Sequence, residues 1–318
     1  MIPVDLITGF LGAGKTTFLL RYAAHRIRKG ERIGILVYDH GAVNVDLPLL
    51  NPLRSERCEL ETLAASCDAD CHRRRFRSKL IAMAMSGYDR ILIEPSGVFD
   101  MDEFFDTLQE EPLDRWLEIG NVICIADAKL EEDSLPEEDF FLASQASCAG
   151  CVVLSRVQLA SDAEIEGTLA HLERALAAIR FQETIRDRIL CRDWDRLTEE
   201  DYAALCGCGY RLPDYVKSIA GGGGGFQSLS FLHLRFERAE AAEKVSRLFR
   251  EEDFGRILRV KGFFRDGVRA WELNATEREI RLSPASENPG VITVIGRNLR
   301  EDAVTLLLTG HPPVLHIL

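Results

Sequence analysis

Gly9-Phe10-Leu11-Gly12-Ala13-Gly14-Lys15-Thr16-Thr17 is the stretch that decides the fold. It fits G-x-x-x-x-G-K-[ST], a phosphate-binding loop, and its surroundings suit that role. The apolar run Val4–Ile7 before it reads as a strand, and Phe18-Leu19-Leu20-Arg21-Tyr22 after it reads as a helix. In a strand–loop–helix unit the glycines let backbone N–H groups close around phosphates at the positive end of the helix. Gly9, Gly12, Ala13, Gly14, Lys15, Thr16 and Thr17 are therefore expected to bind nucleotide. Lys15 would reach the β- and γ-phosphates, and the Thr16 hydroxyl would ligate Mg²⁺.

Outward from this loop, apolar runs alternate with helical patterns through the first two-thirds of the chain. That alternation predicts an α/β fold, a mostly parallel sheet flanked by helices. Strands are expected at Val4–Thr8, Ile33–Tyr38, Arg90–Glu94, Asn121–Ala126 and Val152–Leu154. Helices are expected at Thr16–Arg28, Arg73–Met85, Met101–Trp116 and Ala163–Ile179. In the last of these Ile165, Leu169, Leu172 and Leu176 recur at helical spacing. The strand Arg90-Ile91-Leu92-Ile93-Glu94 ends in a carboxylate, where phosphate-loop proteins hold Mg²⁺, usually through water. Pro95-Ser96-Gly97 follows, and a glycine there can donate its N–H to the γ-phosphate.

Composition narrows the function classes. A chain of 318 residues, 46% hydrophobic, can bury a large core and suits two domains. The net charge of -12 argues against a nucleic-acid surface. The basic stretch His72-Arg73-Arg74-Arg75-Phe76-Arg77 reads as the first turns of an exposed helix. There is no basic n-region at the start and no apolar run of about 18 residues, so a cytoplasmic protein with no membrane partner is expected. Nine cysteines without an export signal suggest thiols or metal ligands rather than a disulfide framework.

Gly221–Gly225 is a run of five glycines, which cannot hold a regular element cheaply and reads as a linker. The expected domains are 1–220 for nucleotide binding, 221–226 as linker and 227–318 as a small α+β domain. The second is expected to hold strands near Ser228–Leu234, Ile257–Val260, Val268–Leu273 and Val291–Ile295, with helices at Glu240–Glu251 and Glu301–Leu308.

With the loop and Glu94-Pro95-Ser96-Gly97 in view, the chain resembles the CobW-type P-loop GTPases, a family of metallochaperones. Glu94–Gly97 looks like the family's Glu-x-x-Gly version of Walker B, and Ile125-Ala126-Asp127-Ala128 resembles the strand that follows it. Arg259-Val260-Lys261-Gly262-Phe263 and Val291–Arg297 resemble the family's C-terminal domain. The resemblance implies a cycle in which nucleotide and Mg²⁺ set the shape of a switch and a cysteine loop, so that a metal or metallocofactor reaches a client metalloprotein. It assigns Lys15 to transition-state charge and Thr16, Asp39 and Glu94 to Mg²⁺. Asp39, Asp46 and Glu94 are candidates for orienting the attacking water.

Three departures from the family pattern bear on function. The switch segment Asn-Glu-Phe-Gly is here Tyr38-Asp39-His40-Gly41, with Asp46 at the matching distance, so the carboxylate is kept but shortened. The Cys-x-Cys-Cys motif is here Ser66-Cys67-Asp68-Ala69-Asp70-Cys71-His72. Cys67 and Cys71, with carboxylate and imidazole neighbours, form a candidate site for Zn²⁺ or another soft or borderline transition-metal ion; the alternative is two free thiols in a degraded motif. The guanine reader Asn-Lys-x-Asp is here Ser155-Arg156-Val157-Gln158, and Gln158 lacks the charge for a bidentate contact to guanine. The nucleotide is therefore GTP, ATP or either.

The remaining cysteines and histidines carry weaker signals. Cys148-Ala149-Gly150-Cys151 has C-x-x-C spacing, but a packing role suits its place between helix and strand. Cys206-Gly207-Cys208 is a candidate two-ligand turn, while Cys58, Cys124 and Cys191 read as small apolar residues. His311 and His316 are expected to be ordinary exposed or packed histidines. Two functions fit: a nucleotide-driven metallochaperone, or a nucleotide-gated accessory protein that binds no metal and remodels a metallo- or corrinoid-enzyme through its C-terminal domain.

Overall fold

The computed structural model describes residues 1–39, 47–64, 69–130, 135–212, 226–232, 234–277, 279–285 and 290–311. The chain divides into two compact units, Met1–Asp39 with Leu49–Gly222, and His40–Pro48 with Gly223–Leu318. The glycine run and Ser66–Asp68 lie outside the described residues.

The first unit is built on seven strands: β1 (Ile2–Thr8), β2 (Ile33–Asp39), β3 (Cys58–Ala64), β4 (Arg90–Glu94), β5 (Leu117–Asp127), β6 (Cys151–Ser155) and β7 (Ile189–Leu190). They form one parallel sheet in the order β3-β2-β4-β1-β5-β6-β7. A parallel sheet needs cover on both faces, so its central strands are apolar nearly throughout. Val4, Leu6, Ile7, Ile91, Leu92 and Ile93 are all fully buried. The sequence reading of β4 matches the observed strand residue for residue.

Several elements differ from expectation. The edge strand β3 carries Glu59 and Glu61, which pair outward with Arg32 and Lys79, so its apolar signal is weak. The helix Pro136–Cys148 is buried along nearly its whole second half and therefore lacks a polar face. The single helix expected at Met101–Trp116 is two: Met101–Gln109 ends at an extended Glu110, and a one-turn helix, Leu113–Trp116, begins after Pro112. Proline has no N–H to donate and clashes with the preceding turn. In the helix Ala69–Ala84, Arg73, Arg74 and Arg75 are exposed as expected, but His72 and Phe76 are buried. Cys191, expected to pack as an apolar residue, is exposed.

The second unit is an antiparallel sheet of five strands, β8 (Phe226–Leu232), β9 (Arg256–Asp266), β10 (Arg269–Ala275), β11 (Ile280–Ala285) and β12 (Val291–Arg297), in the order β11-β10-β9-β12-β8. Its core joins Val260, Phe264, Leu273 and Val294 of the sheet to Val245 and Leu248 of the helix Arg238–Arg250 and to Val304 and Leu308 of the helix Glu301–Thr309. Strand β11 was not expected; it is an edge strand and contains Pro284, which suits an edge. Among the described residues no helix is long and apolar enough to cross a membrane.

Candidate nucleotide site

The carboxyl ends of β1, β4 and β6 bring Thr8, Glu94 and Ser155 to one edge of the sheet, the place where open α/β sheets take ligands. The chain leaves β1 through Gly9, whose φ of 143° is open to glycine. A Cβ there would lie 2.3 Å from the Ile125 carbonyl oxygen, so only glycine lets the loop run this close to β5. The helix Lys15–Arg28 starts at Gly14 in the left-handed region, with φ of 100°. No acidic side chain occupies its first turn, and its positive end faces the loop.

Lys15 is buried, and its ammonium donates to the carbonyls of Gly9 at 3.0 Å and Phe10 at 3.4 Å. The loop thus holds the Lys15 charge over its own concave side. Thr16 donates from Oγ1 to Glu94 Oε1 at 2.6 Å, and both residues are buried. This hydroxyl–carboxylate pair is an all-oxygen donor set at a helix N-terminus and fits a hard cation such as Mg²⁺, which keeps its remaining ligands as water and phosphate. Asp39 ends β2 beside β4: Val37 pairs with Glu94, so the Asp39 backbone lies two residues beyond Glu94 along the neighbouring strand. The Asp39 side chain, Asp46 and Cys67 lie outside the described residues.

Gly97 packs directly under the phosphate loop. A Cβ on it would lie 2.5 Å from the Leu11 nitrogen. Its carbonyl accepts a hydrogen bond from Gln145 Nε2 at 3.1 Å, and Gln145 is fully buried. Gln145 lies on the helix Pro136–Cys148, whose range sequence reasoning did not set, and nothing local announced its role.

The segment Ser155–Gln158 divides in space. Ser155 is buried, and its hydroxyl has no hydrogen-bond partner among the described residues; the same holds for Thr8. Arg156 adopts the left-handed conformation, φ 58°, and turns its guanidinium back onto the loop. Its Nη2 donates to the Gly12 carbonyl at 3.0 Å while its Nη1 bonds the Asp127 carboxylate. Arg156 therefore ties the phosphate loop to the end of β5. Gln158 sits on the one-turn 3₁₀ helix Val157–Leu159 and is exposed.

Trp194 completes this side of the site, and the sequence reading missed it. Its indole donates from Nε1 to the Leu154 carbonyl at 3.0 Å and packs edge-on against Phe18. Its ring would be 3.3 Å from a Cβ at Gly14. A neighbouring ion pair, Arg21 to Asp195 at 2.6 Å, fastens the Trp194 turn to the loop helix.

The helix Ala69–Ala84 packs at the end of β2. Cys71 is half-buried at the start of the helix Ala69–Ala84. Beside it the His72 ring stacks on Tyr38 with centroids 4.2 Å apart, and its Nδ1 lies 3.1 Å from the Tyr38 hydroxyl and 3.4 Å from Glu103. This helix is thus fixed to the end of β2, one residue before Asp39. No group of three or more histidines, cysteines and acids able to hold a metal occurs among the described residues. Cys148 is packed in the core and burial pushes its thiol up to about 12, in line with a packing role. Burial likewise pushes Cys151 up to about 11 and raises Cys208.

A family model described as "CobW/HypB/UreG, nucleotide-binding domain" matches residues 3–185, more than half of the chain and all of the site just described except the Trp194–Asp195 turn. The chain belongs to the CobW/HypB/UreG family. Among curated relatives, the Zinc chaperone YeiR of Escherichia coli K12 is 32% identical over 143 residues, 44% of this chain and 42% of that protein. The Zinc chaperone YjiA of the same organism is 29% identical over 172 residues, 51% of this chain and 52% of that protein. A crystal structure of Zn(II)-bound YjiA GTPase from E. coli aligns over 97% of this chain at 19% identity with a TM-score of 0.37. This CobW/HypB/UreG member spans about half the length of the curated relatives it matches.

Proposed function

We propose that this CobW/HypB/UreG protein is a nucleoside triphosphatase that couples hydrolysis to the handling of a transition-metal ion for a client protein. The observation that carries the reading is the buried Thr16–Glu94 contact at 2.6 Å, set against Lys15 at the mouth of the phosphate loop. In hydrolysis a water oxygen bonds the γ-phosphorus while the bond to the β–γ bridging oxygen breaks, releasing nucleoside diphosphate and inorganic phosphate. Lys15 and the loop N–H groups stabilise charge on the transferred phosphoryl group. Thr16 and Glu94, with Asp39, would hold Mg²⁺, which neutralises the phosphate oxygens when bound. Gly97 offers its N–H at the γ-phosphate, held in place by Gln145. Ser155, Arg156 and Gln158 border the base.

GTP is the favoured nucleotide on family grounds, with ATP the competitor because Gln158 is uncharged. Cys67 and Cys71 are proposed to bind Zn²⁺ as cargo, with shell positions left open for transfer. Thiolate ligation requires deprotonation, so binding should weaken as pH falls. The zinc chaperone relatives support this reading. The test has two parts. Lys15→Ala is expected to abolish turnover of GTP, and parent-like turnover in that variant overturns the assignment. Zn²⁺ titration of the parent and of a Cys67→Ser/Cys71→Ser variant, each with a non-hydrolysable triphosphate and with diphosphate, is expected to show binding in the parent that the variant loses. No binding in the parent under either condition overturns the metal reading and favours an accessory protein that remodels its client without carrying metal.

A further inference from the structure

The second unit carries a cluster of positive charge on a chain whose net charge is -12. Asp266 and Arg269 flank the two-residue turn Gly267–Val268 that joins β9 to β10, and Arg265 lies one residue before Asp266, opposite Ala270. The backbone of Arg235 pairs with that of Arg265 in an isolated parallel bridge, and Arg238 opens the following helix. All four arginines are exposed, and none forms a salt bridge with a described residue. Asp266, the acid of this hairpin, accepts the backbone N–H of Arg238.

Two further features mark this cluster as a recognition surface. The Arg238 guanidinium lies 4.8 Å from the centroid of Trp271, and the Trp271 Nε1 is a buried donor with no partner among the described residues. Val268, at the tip of the hairpin, is 93% exposed. Tight hairpin turns favour glycine, asparagine and aspartate, so an aliphatic tip gains nothing from the turn itself. These residues border a groove of about 510 Å³ between Arg265, Arg269, Trp271 and Pro284.

We propose that this groove docks an acidic segment of a partner protein, with an apolar side chain of that segment against Val268 and Trp271 and its carboxylates on Arg265 and Arg269. Charge complementarity carries the choice of occupant. Arginine forks match carboxylates bidentately, and clusters of arginine with an aromatic anchor recur at acidic-motif docking sites. A nucleic acid fits less well, because four arginines face a polyanion while the rest of the chain repels it. The surface belongs to the second unit alone and does not depend on the nucleotide reading.

The experiment is fluorescence anisotropy of a labelled peptide of alternating glutamate and leucine, titrated with the full chain at low salt. Controls are a lysine–leucine peptide, a short single-stranded DNA oligonucleotide and competition by inorganic phosphate. The acidic peptide is expected to bind, the lysine peptide not to, and affinity to fall with added salt. Arg265→Glu/Arg269→Glu should weaken the peptide at least roughly tenfold with nucleotide turnover and melting temperature unchanged. Trp271→Phe keeps an aromatic side chain but a smaller one and removes the indole N–H, and should weaken it roughly threefold. Failure of the acidic peptide to bind, equal binding by the charge-reversed protein, tighter binding of the oligonucleotide, or displacement by phosphate alone would each overturn the proposal. So would self-association of the chain that disappears in the charge-reversed variant, since the occupant would then be a second copy.

Discussion

Gly97→Ala tests whether the phosphate loop and the strand carrying Glu94 move as one piece. The added methyl would lie 2.5 Å from the Leu11 nitrogen and 2.9 Å from the Leu11 Cα, both backbone atoms of the loop. Comfortable carbon contacts lie at about 3.5–4.0 Å, so roughly 1 Å must open between the Gly97 turn and the loop. Below, Gln145 holds the Gly97 carbonyl at 3.1 Å from a fully buried position, so the turn has little freedom to retreat. The loop is then the part that yields, losing the N–H geometry that phosphate needs. Overpacking of this size costs about 1–3 kcal/mol, which corresponds to roughly a fivefold to 150-fold loss of triphosphate affinity. The assay is equilibrium binding of a fluorescent triphosphate analogue, alongside thermal melting. Gly167→Ala is the control: Gly167 lies inside the helix Asp162–Ala178, a Cβ there meets nothing within 4 Å, and alanine should stabilise by about 0.5–1 kcal/mol without altering binding. If Gly97→Ala binds triphosphate within a factor of two of the parent, the loop and the turn are not mechanically coupled and the argument fails.

Other predictions concern the base, a helix cap and the thiols. Gln158→Asp should move preference towards GTP, and the parent's GTP and ATP affinities should differ by less than about a hundredfold, since one bidentate contact contributes roughly 1–3 kcal/mol; competition binding with both nucleotides checks this, and a parent that rejects ATP far more strongly shows that other groups read the base. The backbone N–H of Ser161, then Lys129 and the Ser161 hydroxyl, hold the Glu164 carboxyl down at about 2. A depressed carboxylate contributes stability above its unfolded value, about 4.3, and loses it as pH falls towards 2. Acid unfolding of Glu164→Gln should therefore show less pH dependence between about 5 and 2 than the parent, and identical profiles would refute the cap's role. Among the described cysteines Cys191 is exposed, while burial pushes Cys58 and Cys151 up to about 11 and Cys124 and Cys148 up to about 12. A thiol reagent at mildly alkaline pH should therefore modify Cys191 well before those four, as mass spectrometry of the peptides would show.

What the sequence made legible was local. The phosphate loop needs glycines at fixed offsets, and β4 is an apolar run closed by a carboxylate, so both could be placed without tertiary knowledge. Strand β3 escaped because its glutamates serve an exposed face, and the bounds of the helix Pro136–Cys148 escaped because burial through its second half erases the period that marks a helix. The missed site residues, Gln145 and Trp194, act across 48 and 40 residues of chain respectively, reaching Gly97 and Leu154. No spacing rule reaches that far. Arg156 was assigned to the base side, and its contacts add a structural role, because its left-handed backbone sends the guanidinium to Gly12 and Asp127.

The strand order has a consequence for how the protein is made. β1 comes first in the chain but occupies the middle of the sheet, with Val4 paired to Ile91 and Ile2 to Leu117. At about 5–20 residues per second a ribosome would take roughly 4–17 s to supply Ile91 after Val4. Until then one of the most apolar segments has neither neighbour and no sheet to enter. The phosphate loop would thus emerge before β4 and β5 and acquire its shape only once they close on either side. A nascent chain stalled before Ile91 should bind holdase chaperones through its first strand and hold no nucleotide.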